Sequence, residues 1–129
     1  MNPGERELEF RPAQVTMQYR DMLITHLDIL SISYHDLIER NIDSRNLIID
    51  NELFNRCLAE MIVIIDHLMP KLQGSPNVRL KDIERRFEEF YVWRKDTLGL
   101  KANLAQRDMM HIYWRLIIEA YDALGLSNF

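Results

Sequence analysis

In the stretch FNRCLAEMIVIIDHL (residues 54–68), apolar side chains return at Phe54, Leu58, Met61, Ile65 and Leu68, in alternating steps of four and three. An α-helix turns about 100° per residue, so such steps keep returning to one side of the helix. The same rhythm recurs three times. Leu23, Leu27, Leu30, Tyr34 and Leu37 form one stripe before it. Leu80, Ile83, Phe87 and Phe90 form a third stripe, and Met110, Trp114, Ile117, Tyr121 and Leu124 a fourth. Four helices, each with one apolar and one wet face, can close around a shared core. The expected fold is all-α, a four-helix bundle.

Within the opening stretch, Met61 to Ile65 is apolar on every side. A helix wet along one face does not need that, so this turn is expected to be the most buried in the chain or to lie in a subunit interface. It is also the longest unbroken apolar run, far short of the roughly 20 residues that cross a bilayer. No membrane partner is expected.

Punctuation sets the boundaries. Pro12 is tolerated in a first helical turn, so the first helix is expected to start near it and run to about Arg40. Residues 1–12 then read as an N-terminal arm, loose or docked, and 13–129 as a single helical-bundle domain. The second helix has two candidate N-caps, Ser44 and Asp50, and ends at Pro70 or soon after. The third is expected over 79–97, terminated by Gly99, and the fourth over 102–124, terminated by Gly125. Short connections make successive helices antiparallel neighbours, giving an up-down-up-down order.

Composition narrows the function. The chain has 129 residues, 47% of them hydrophobic, with only 4 Gly and 4 Pro. That is enough to bury a core without disulfides or metal, and too little turn chemistry for a β protein. The formal net charge of −4 disfavours non-specific nucleic-acid binding, which draws on displaced counterions. Residues 77–115 nevertheless hold more Lys and Arg than Asp and Glu. Arg79, Lys81, Arg85 and Arg86 are interleaved with Asp82, Glu84, Glu88 and Glu89, the pattern of ion pairs within one helix. The single cysteine, Cys57, cannot form an internal bridge and fits a reducing, cytoplasmic setting. The charged start MNPGERELEF is not a secretory signal.

Common catalytic signatures are absent: no nucleophile elbow, phosphate loop or dinucleotide fingerprint occurs. Glu-x-x-His, the di-iron bundle ligand pair, is also absent. Glu60 with His67, and His35 with Glu39, share helix faces, as charged residues on any solvated face do. No metal site and no cofactor are assigned. The remaining candidate is Arg107-Asp108-Met109-Met110-His111-Ile112-Tyr113. Arg107 and His111 stand four apart and share a face. A guanidinium can grip a phosphodiester and steady its developing charge, and an imidazole can move a proton near neutral pH.

This string resembles the signature of the HEPN family, small four-helix proteins that carry Arg, a polar residue and His on their last helices, often with Tyr two places later. Arg107, Asp108, His111 and Tyr113 are the matching positions. Three residues separate Arg107 from His111, fewer than the family usually places there. The resemblance implies a metal-independent ribonuclease or an inactive RNA-binding relative, acting as a dimer with facing motifs.

Apolar residues exceed the four stripes. Ile24, Ile29, Ile32, Ile62, Val63, Ile64, Val92, Trp93, Met109, Ile112, Tyr113 and Ile118 all lie outside them. One four-helix core does not easily hide so many, and a homodimer is the commonest second buried face. The leading expectation is a non-enzymatic interaction or assembly module that pairs with itself or with another helical protein. Ile62, Val63, Ile64, Tyr91 and Trp93 are its expected contact residues, since Trp and Tyr are enriched at binding surfaces.

Overall fold

The computed structural model describes residues 3–40, 50–97 and 101–126, with side chains for 18–39 in the first of these segments. Four helices follow in order: α1 (Pro3–Arg40), α2 (Asn51–Leu72), α3 (Val78–Thr97) and α4 (Leu104–Ala123). No described residue is in a strand. The molecule is an all-α four-helix bundle.

Each cap has a local cause. Asp50 is the N-cap of α2, its carboxylate accepting from Leu53 N at 3.0 Å. Ser44, the other candidate, lies outside the described residues, as does Gly99. Pro70 sits in the last turn of α2, which continues to Leu72. Asn77 Oδ1 accepts from the amides of Arg79 and Leu80 at the start of α3. Asn103 and Gln106 form a reciprocal capping box at the start of α4. Gly125, at φ +71°, ends α4, while Leu126 N donates to Tyr121 O and Gly125 N to Asp122 O. These two bonds make a Schellman motif, whose left-handed residue favours glycine.

One boundary departs from the sequence reading. Residues 3–12, expected as an arm, belong to α1, and Pro12 lies inside the helix. Pro3 can occupy a first turn as readily as Pro12. The run Glu5-Arg6-Glu7-Leu8-Glu9 that follows consists of strong helix formers. At 38 residues α1 is about 57 Å long, nearly twice its neighbours.

Cross-helix contacts fix the directions. Tyr19 of α1 meets His67 and Lys71 late in α2, whereas His26 meets Glu60. Arg79 of α3 meets Asp122 late in α4, and Phe90 meets Tyr113 earlier in it. Tyr121 OH donates to Leu23 O, and Tyr34 stacks on Trp114. Sequential helices, and α1 with α4, therefore run antiparallel. The start of α2 and the approach to α4 are tied by Ala102 N donating to Asn51 Oδ1 at 2.7 Å.

The bundle is not square. The backbone of α2 approaches those of α1, α3 and α4, whereas no described Cα atom of α1 lies within 8 Å of one in α4. Accordingly α2 is the central helix. The stripes point inward: Leu23, Leu30, Leu37, Met61, Ile65, Leu68, Ile83, Phe87, Phe90, Met110 and Ile117 are fully buried. Among the described residues no helix is long and apolar enough to cross a membrane.

Candidate functional site

The gap between the α1 and α4 backbones is bridged by rings. Tyr34 stacks on Trp114 with centroids 4.8 Å apart and planes at 15°, and lies beside His111 at 6.0 Å and 20°. Its hydroxyl is hydrogen-bonded to His111 Nδ1. Arg107, one turn earlier on α4, is half-buried and close enough for its charge to act on Tyr34. Burial raises the Tyr34 hydroxyl above its ordinary pKa, and the Arg107 guanidinium partly opposes that shift. The bond at Nδ1 orients the His111 ring and leaves Nε2 as the nitrogen for any proton transfer.

Of the four residues that match the HEPN string, Arg107 and His111 share this seam. Asp108 is exposed beside Arg107, at 3.7 Å from its guanidinium. Tyr113 turns the other way, into the core against Phe90 at 5.1 Å and Trp93 at 5.3 Å. Six residues from Arg107, it is rotated about 240° around the helix. Sequence reasoning missed Tyr34, which looked like an ordinary member of the first stripe. Its pairing with a residue 77 positions away has no local signal.

The outward face of α4 lies next to the seam. Ile112, Trp114, Arg115 and Ile118 border an open cleft of about 820 Å³, with Arg86 of α3 at its edge. Ile112 is 45% exposed and Ile118 is 40% exposed. Glu119 and Asp122 continue this face. Arg79 reaches Asp122 at 3.3 Å and Glu119 at 3.8 Å, and Arg86 reaches Glu119 at 3.8 Å. Two of the α3 arginines thus tie α3 to α4. Arg85 pairs within its helix, with Asp82 at 2.8 Å and Glu89 at 3.1 Å.

The residues expected at an interface sit elsewhere. Ile64 is fully buried, and Ile62 and Val63 just before it are half-buried. Trp93 is half-buried and packs against Phe54, Phe90 and Tyr113. Tyr91 donates to Asp66 Oδ1 at 2.5 Å, its hydroxyl pushed up in pKa first by burial and then by that carboxylate. Among the described residues, the exposed large aliphatics are Ile29, Ile32, Val78, Val92, Leu104, Ile112 and Ile118.

A second polar cluster links α1 and α2. His26 Nδ1 lies 3.3 Å from Glu60 Oε2, and its ring stacks on His67 at 6.4 Å. His67 Nδ1 donates to Val63 O at 2.7 Å. Tyr19 lies beside His67, beneath the Lys71 ammonium, and its buried hydroxyl oxygen has no hydrogen-bond partner among the described residues. Glu60 and His67, which share a face in sequence, are thus drawn to a third residue on α1. Among the described residues, however, no three His, Cys, Asp or Glu side chains are grouped to hold a metal ion. Cys57 is buried in the core, and burial pushes its thiol up from 9.0 to about 12, so it is no nucleophile at neutral pH.

No family model, curated protein or solved structure matches the chain.

Proposed function

We propose that this chain is a cytoplasmic helical module for protein–protein interaction, and that it acts by pairing with itself. The observation that carries this reading is the surplus of apolar surface on the outward helix faces. Ile32 is 66% exposed, and Ile112 and Ile118 rim an open cleft on α4. Single exposed aliphatics are ordinary, but two bordering one cleft beside a tryptophan are what contact surfaces present. The buried, unactivated thiol accords with a reducing compartment. Size-exclusion chromatography with light scattering on the purified chain at micromolar concentration tests the reading. A mass of twice 15.5 kDa is expected, and a clean monomer overturns it.

A second reading, a HEPN-like ribonuclease or RNA-binding relative, is favoured by one observation: Arg107 and His111 share an accessible seam in which Tyr34 orients the imidazole. In such an enzyme Arg107 would hold the phosphate and His111 would move the proton from the attacking 2′-hydroxyl. RNA cleavage in EDTA, compared among wild type, Arg107→Ala and His111→Ala, tests this. Cleavage lost in both variants supports it. No wild-type cleavage, or cleavage indifferent to both substitutions, removes the enzymatic reading.

A further inference from the structure

We infer that the contact surface is the outward face of α4, and that its occupant is the same face of a second copy, packed antiparallel across a two-fold axis near Ile118. This inference rests on the proposed self-association and assigns it a place.

Charge order along α4 carries the argument. Arg115 is exposed, and no described residue forms an ion pair with it. It stands between Ile112 and Ile118, and the acidic residues Glu119 and Asp122 follow on the same side. Along α4 the face therefore runs from basic to acidic in the chain direction, with Ile118 at the change. Such a face is self-complementary when turned end for end. In an antiparallel pair about an axis near Ile118, residues equally far from the axis meet. For Arg115 of each chain to face Asp122 of the other, the axis falls midway between Ile118 and Glu119, so that Ile118 of each chain lies beside the axis next to Glu119 of the other. A parallel pair would instead set Arg115 on Arg115 and Asp122 on Asp122.

The two-fold relation makes every contact occur twice, as an isologous interface requires. It gives Arg115 a carboxylate, which none of the described residues supplies within one chain, and removes Ile118 from water. Arg79 already lies 3.3 Å from Asp122, but an exposed carboxylate accepts more than one donor. A partner of another sequence would need no such alternation, because complementarity could then reside in the partner.

Sedimentation equilibrium on the full chain tests this through a charge swap. Arg115→Glu and Asp122→Arg are each expected to raise the dimer dissociation constant at least tenfold when alone, because each homodimer then opposes like charges twice. Mixed in equal amounts, the two variants are expected to form a heterodimer, in which both opposite-charge pairs reappear. Ile118→Lys is expected to weaken pairing by at least as much. If the wild type is dimeric but none of these substitutions changes its dissociation constant, the α4 assignment is overturned and self-association stands. If Arg115→Glu and Asp122→Arg each weaken the dimer but do not combine, the antiparallel register is overturned. If the wild type is a monomer, this inference and the proposed function fall together.

Discussion

Helices α2 and α4 are similar in length and both carry isoleucines on more than one side, yet they use them differently. Helix α2 has a neighbour on three sides, so Met61, Ile64 and Ile65 are fully buried and Ile62 and Val63 half-buried. Helix α4 keeps one broad side open, with Ile112 and Ile118 on its rims. An all-round apolar turn thus marks the helix at the centre of the bundle. Isolated isoleucines among charges mark the helix with surface to spare.

The largest effect belongs to α2. Ile64→Ala removes side-chain volume from a site with no solvent access, and is expected to cost about 2–5 kcal/mol of folding stability. Urea denaturation followed by circular dichroism measures it. A loss below about 1 kcal/mol would mean that α2 is not the buried centre.

Cys57, on the same helix, gives a pH test. Its folded pKa is raised by burial from 9.0 to about 12. The unfolded chain therefore loses this proton first as pH rises. The stabilisation is complete below pH 9 and is lost progressively between pH 9 and 12, at up to about 1.4 kcal/mol per pH unit for one group. Tyr121, whose pKa is also raised by burial, adds to the loss at higher pH. Denaturation midpoints should stay level through pH 8 and decline above 9, with a shallower early decline in Cys57→Ala. A decline as steep in Cys57→Ala as in wild type would show that the thiol is not sheltered.

The periodicity of the chain was enough to identify four helices and their inward stripes, because repeating steps of four and three leave few other ways to bury those residues. Gly125 was legible as a cap for an equally local reason, and Asp50 as one of two candidates with Ser44. What a single sequence does not carry is which face meets which helix. Tyr91 and Trp93 fall outside the third stripe, so one of them is expected to be exposed, but both are half-buried, engaged by Asp66 of α2 and Tyr113 of α4. Tyr34 and His111 are joined only by the antiparallel arrangement of α1 and α4. Pro3 and Pro12 are equally acceptable as helix starts, and the formers between them settle the choice in a way proline alone does not show.

Between the two extremes lie the hydroxyls that tie α1 to α4. Tyr121 OH donates to Leu23 O at 2.7 Å inside the core, so Tyr121→Phe leaves a buried carbonyl without that donor and is expected to cost about 1–2 kcal/mol. Tyr34→Phe keeps the stacking on Trp114 and loses the bond to His111, which is more accessible, for about 1 kcal/mol or less. The order of these two losses, measured in parallel, sharpens the difference between the inner and outer parts of the α1–α4 seam. Equal losses would place both hydroxyls in the same environment.

The smallest folding effect is expected from Ile118→Ser, and it completes the comparison with Ile64. A partly exposed residue with no tight packing changes subunit stability by about 0.5 kcal/mol or less on substitution. Binding of a second copy adds stability that depends on chain concentration, because only the folded form binds. Wild-type melting temperature should therefore rise with concentration, and that of Ile118→Ser should rise less steeply or not at all. The Ile64→Ala penalty should appear undiminished at the lowest concentration that calorimetry or fluorescence can follow. If Ile118→Ser loses 2 kcal/mol in dilute solution, the two isoleucines do the same job and α4 has no face to spare. If both proteins melt at one temperature across the whole concentration range, the open side of α4 meets only water.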